Sequence, residues 1–155
     1  TGRHDAVIGD VLAVDPDAEK LYEVVRDRED LTRRLDHFLT ESEKIIPEAS
    51  KALSCGDLEE FGRMAQESQR AAEDLLGNQV PQTAALARIA HDLGAVGSTS
   101  FGAGFGGSVW ALVPSAESKE FAEKWIASYR DEYPEEASQA MTVVARPGPS
   151  ARRLD

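Results

Sequence analysis

The sequence predicts an α+β domain, and three observations predict it. Apolar residues recur at spacings of three and four as far as Leu93, the mark of amphipathic helices. A glycine-rich stretch, Ser100 to Gly107, then interrupts the pattern, and a short apolar, β-rich run, SVWALVP, follows it. One more helical stretch precedes a second β-rich run, AMTVVARP, so helices lead and strands enclose a final helix. With 155 residues the chain has the length of one typical domain. We expect that domain to occupy residues 1–146, with 147–155 as a flexible tail.

The elements follow in order. AVIGDVLAVD is valine-rich and alternates weakly, so it reads as a short strand, though a loop fits nearly as well. DAEKLYEVVRDR places Leu21, Val24 and Val25 on one helical face. A longer helix buries Leu35, Phe38, Leu39, Ser42, Ile45, Ile46, Ala49 and Leu53, and Pro47 is expected to bend or divide it. Gly56 stops it. Asp57 opens the next helix as N-cap with Glu60 three residues on, the capping-box pattern. That helix buries Leu58, Phe61, Met64 or Ala65, Ser68, Ala72 and Leu75 and ends at Gly77, with Gly62 marking a close helix crossing. Pro81 suits the first turn of PQTAALARIAHDL, which closes at Gly94. After the glycine-rich stretch and its strand, Phe121, Trp125 or Ile126, Tyr129 and Tyr133 carry the last helix.

Composition excludes several functions. Seventeen basic against 28 acidic residues give a formal net charge of -11, and no basic cluster offsets it, which argues against nucleic acid and anionic membranes as partners. No apolar stretch is long enough to span a bilayer. One cysteine, Cys55, and three scattered histidines form no metal-ligand spacing, and the cysteine usage fits the cytoplasm. No catalytic residue and no metal ligand is assigned.

GSTSFGAGFGGSV, Gly97 to Val109, resembles the third motif of the GHMP kinases, a strand leading into a glycine-rich loop and back into a strand. RRLDHFLTESEKI, Arg33 to Ile45, is similar to the helix that opens the galactokinase C-terminal region. GDLEEFGRMAQES, Gly56 to Ser68, resembles its next helix. With three blocks in the right order and spacing, the resemblance covers about Arg33 to Val144, most of the chain. Departures exist: Gln69 replaces the usual histidine, Val80-Pro81-Gln82 replaces a Cys-Pro-Glu stretch, Ser98-Thr99-Ser100-Phe101 replaces Ser-Arg-Met-Thr, and Ser108 replaces a cysteine.

The resemblance implies a ferredoxin-like C-terminal domain with a helical first half and a small antiparallel sheet. It implies ATP and Mg2+ as requirements of the complete kinase, with neither assigned to this chain, a small sugar as substrate, and an N-terminal kinase domain, on the same or a separate chain, as partner. Nothing here resembles the family's Gly-x-x-x-Ser-Ser-Ala-like phosphate loop or its catalytic aspartate, so the chain alone is expected to be inactive. Ser100, Gly102, Ala103, Gly104, Phe105, Gly106 and Gly107 are the candidate wall of the sugar and phosphate cleft; the plainer reading is a tight connection between strands. Phe105 is expected to plug the core beneath the loop rather than to pack on a ligand. His37 reads as a structural histidine, His91 as a complement to a helix dipole, and Trp110 and Trp125 as core. Two other readings stand beside the sugar kinase: a non-catalytic ligand- or partner-binding domain of this fold, and a GHMP kinase with another acceptor.

Overall fold

The computed structural model describes residues 7–102 and 104–149, in two compact units that divide after Gln79. The first unit is helical: α1 (Ile8–Leu12), α2 (Glu19–Val25), α3 (Glu29–Leu39), α4 (Ile46–Cys55) and α5 (Leu58–Ala71). The second holds α6 (Pro81–Asp92), β1 (Gly97–Ser100), β2 (Val109–Leu112) and α7 (Ser118–Glu132). Helices with a small antiparallel sheet make the α+β class expected from the periodicity.

In the first unit, the long helix is divided ahead of Pro47, as expected. Proline has no N–H and crowds the carbonyl one turn back. The chain ahead of it widens into a π-turn over Thr40–Ile45 before resuming as α4. The apolar stripe runs through Leu35, Ile45 and Ala52, which are buried, with Phe38, Ser42 and Ala49 half-buried between them; Ile46 and Leu53, one residue further round the helix, are exposed. A second π-turn, Ala72–Leu76, prolongs α5 in the same way.

Gly56 adopts a left-handed φ of 74° and lets the chain fold back on α4, with Gly56 N–H donating to the Leu53 carbonyl and Asp57 N–H to the Ala52 carbonyl. The Asp57 carboxylate accepts the Glu60 N–H at 3.0 Å, so the N-cap forms. The reciprocal half of the box does not. The Asp57 N–H is already used, and the Glu60 carboxylate turns to Arg63 instead, at 2.6 and 2.8 Å. Within α5, Gly62 is buried and Met64 is fully buried, and this helix packs on α4.

In the second unit the core is Ala85, Ile89 and Tyr129, with Leu86, Trp125, Ile126 and Tyr133 against it. Trp125 is thus a core residue, and its indole N–H donates to the Leu86 carbonyl at 2.9 Å, tying α7 to α6. Helix α6 packs on both strands.

Two strand expectations are corrected. The apolar start is not extended: Ile8–Leu12 is helix α1, begun by a turn in which Asp10 N–H donates to the Val7 carbonyl and the Asp10 carboxylate accepts the Val7 N–H. Residues 140–149 form no strand, and Met141, Val143 and Val144 lie exposed. β-branched composition favours extended backbone, but a strand exists only where an edge pairs with it, and among the described residues β2 pairs with β1 alone. Of the expected tail, residues 150–155 lie outside the described residues.

Candidate functional site

β1 and β2 pair antiparallel in the register Gly97↔Leu112, Ser98↔Ala111, Thr99↔Trp110 and Ser100↔Val109. Two further bonds extend the ladder, Val96 N–H to the Leu112 carbonyl at 2.8 Å and Phe101 N–H to the Ser108 carbonyl at 2.9 Å. The hairpin is anchored from inside by Ser98, buried, whose hydroxyl donates to the Trp110 carbonyl at 2.8 Å. The loop proper is thereby reduced to residues 102–107, closed at its base by the Phe101 to Ser108 bond.

Every described residue of that loop has positive φ: Gly102 at 66°, Gly104 at 79°, Phe105 at 60°, Gly106 at 106° and Gly107 at 108°. Side chains other than hydrogen resist this conformation, which is why four glycines in six positions occur here. Ala103 lies outside the described residues. A β-carbon on Gly106 would stand 3.9 Å from Val80 Cγ2, so the loop passes close to the entry of α6.

Ser100 and Gly106 are half-buried, whereas Gly102 and Gly107 are exposed. Phe105 does not plug the core: it is 72% exposed, and Phe101 at the loop's base is 58% exposed. The left-handed backbone at Phe105 and its glycine neighbours, which offer no side chains to pack on, account for that exposure.

The loop's chemistry is that of backbone groups and one phenyl ring. No Asp, Glu, Lys, Arg, His or Cys occurs from Gly94 to Ala116, so the loop can shape a cleft and offer hydrogen bonds, but it holds no nucleophile, acid or base. Among the described residues no three His, Cys, Asp or Glu side chains converge as a metal site. No described helix is long and apolar enough to cross a membrane.

Against this geometry the sequence matches the family model of the GHMP kinases C-terminal domain over residues 44–131, more than half of the chain. The chain belongs to the GHMP kinase family. It is also 36% identical over 104 residues to a galactokinase of Enterococcus faecalis (strain ATCC 700802 / V583), an alignment that spans 65% of this chain. The match spans 26% of that relative's length. The family match runs through both compact units and takes in the whole hairpin and its loop. This GHMP kinase C-terminal domain is therefore galactokinase-like.

The same domain brings together a polar cluster around His37, expected as a structural histidine, and Ser68, expected on a buried helix face. Ser68 donates to Glu41 Oε1 at 2.6 Å, and His37 Nε2 lies 3.9 Å from the same oxygen, its side chain 18% exposed. Lys44 pairs with Glu67, and Arg63 reaches Glu60, Glu48 and Glu67. Its hydrogen bond to Glu60 raises the Arg63 pKa, and the same bond lowers that of Glu60. All the members except Glu48 come from the two blocks, Arg33 to Ile45 and Gly56 to Ser68, that resemble galactokinase helices. The i,i+4 spacing of His37 and Glu41 was the available signal. The contact with Ser68 arises only from the helix pairing.

Proposed function

We propose that this chain is the C-terminal domain of a galactokinase-like, ATP-dependent sugar kinase, with Ser100 and Gly102 to Gly107 forming one wall of the cleft in which sugar and ATP phosphate meet. Residues 1–146 make up the domain. The observation that carries the reading is the hairpin loop, whose every described position has positive φ, lying inside the family match. Such a loop brings backbone close to a ligand without interposing side chains, which suits a reaction governed by positioning. The N-terminal kinase domain supplies the phosphate-binding loop and the aspartate that takes the proton of the attacking hydroxyl. ATP and Mg2+ are requirements of that complete enzyme, and the cytoplasm, where ATP is available, is its compartment.

This chain has no charged side chain in the loop, so its share of catalysis is to shape the cleft and exclude water. Without the N-terminal domain it should give no turnover. The test is a chimera in which this chain replaces the matched segment of the Enterococcus faecalis galactokinase, assayed for ADP release with a panel of hexoses. The expected result is hexose-dependent ADP release by the chimera and none by the chain alone. A folded chimera inert toward every hexose overturns the assignment, and turnover by the chain alone overturns the need for a partner domain.

A further inference from the structure

We infer that Phe105 is a stacking platform for the apolar face of a neutral pyranose ring, so that the glycine-rich loop addresses the sugar rather than the triphosphate. This rests on the sugar-kinase reading above and deepens it. Two features of Phe105 are unfavourable in the free chain: a bulky residue is held at φ 60°, and its phenyl ring is 72% exposed. Both are offset if a ligand covers the ring. The flanking Gly104 and Gly106 have no side chains to obstruct that approach.

Charge decides which ligand. Side-chain cations and backbone N–H groups both hold triphosphates, and the loop and both strands, Gly94 to Ala116, have none of the first, on a chain whose net charge is -11, which favours a neutral ligand. A pyranose is neutral. It presents a face of C–H groups that packs on an aromatic ring and a rim of hydroxyls that bond to backbone N–H and C=O groups, which are what the positive-φ glycines expose. Phe101, 58% exposed but outside the positive-φ run, serves as the internal control.

The experiment is NMR titration of the chimera with the Enterococcus faecalis galactokinase described above, with labelled phenylalanine rings and backbone amides, against D-galactose, D-glucose and, separately, ATP. The expected result is a saturable shift of the Phe105 ring with a hexose, none with ATP, and a smaller response at Phe101. Phe105→Gly, which removes the ring while relieving the backbone, should weaken the amide response of Gly102 to Gly107 at least about tenfold, whereas Phe105→Tyr retains it. If the loop amides respond to hexose while the Phe105 ring does not, stacking is wrong and the cleft wall stands. If the loop responds to ATP alone, it addresses the nucleotide and the inference falls. If it responds to neither, the cleft-wall reading falls with it.

Discussion

Replacing Gly107 by alanine should destabilise the protein more than replacing Gly102, and the difference isolates backbone conformation from crowding. A β-carbon at either position would meet nothing within 4 Å, so sterics with neighbours do not separate the two sites. Their dihedrals do. Gly102, at φ 66°, sits near the left-handed helical well, where an L-residue costs about 1–2 kcal/mol. Gly107, at 108°, lies well outside that well, and a residue forced there costs up to about 3 kcal/mol. Both substitutions recover about 0.4–1 kcal/mol by restricting the unfolded chain. The net losses are then roughly 0.5 kcal/mol at Gly102 and about 2 kcal/mol at Gly107. For a chain of this size the larger figure lowers Tm by about 4–8 °C.

Urea unfolding monitored by circular dichroism gives the two losses, provided the denaturant slope is unchanged. A loop can also relieve strain by rearranging locally. Hydrogen exchange of the Phe101 amide, which donates to Ser108 at the loop's base, detects that, because the hairpin must open there first. If Gly107→Ala matches Gly102→Ala in both stability and Phe101 exchange, the account of the loop as a run of glycine-requiring positions is wrong.

Met64 is the one large side chain fully buried among the described residues, in a unit whose other buried side chains are mostly alanines, so Met64→Ala should cost about 2–5 kcal/mol by urea unfolding. Met64→Leu should cost less than about 1.5 kcal/mol. Tyr22 donates to Asp36 Oδ1 at 2.6 Å, and that bond, then burial, then the carboxylate's charge raise its pKa above the ordinary tyrosine value. The proton is held more tightly in the folded state, so this stabilisation is complete below about pH 10 and is lost as pH rises through the raised value. Tyr22→Phe should therefore cost about 1 kcal/mol at neutral pH, and the gap from the unsubstituted protein should close in alkali.

Most helices were legible because periodicity is local, and failures began where packing at the edge of a stripe or a distant contact decided the outcome. Leu35 and Ile45 fall where the spacing puts them. Ile46 and Leu53 do not: each stands one residue past an inward position, Ile45 and Ala52, and a count of threes and fours does not say which of two adjacent residues faces in. AVIGDVLAVD and AMTVVARP failed for a related reason. Valine-rich composition describes what a pairing edge would accept, and neither segment meets one. Within the loop, the glycines announced an unusual backbone. The exposure of Phe105 was hidden, since it depends on the sign of its own φ and on how little its neighbours can cover it.

The distribution of charge explains why such a domain would need a partner to handle ATP. Five of the described cations are held by carboxylates: Arg28 by Asp30, Arg63 by Glu60, Arg88 by Glu132, Lys44 by Glu67 and Lys124 by Glu120. Where a shift is resolved in these pairs it has the same sense, raising the pKa of the base or lowering that of the acid. Freeing such a base to meet a phosphate would leave a carboxylate unpaired on a chain that already carries a net charge of -11. A triphosphate approaching this surface therefore meets repulsion at long range and a neutral loop at short range. On the proposed reading, the positive groups that stabilise a transferring phosphoryl come from the N-terminal domain, and the loop's share is to hold a neutral ring in place while its hydroxyl reacts.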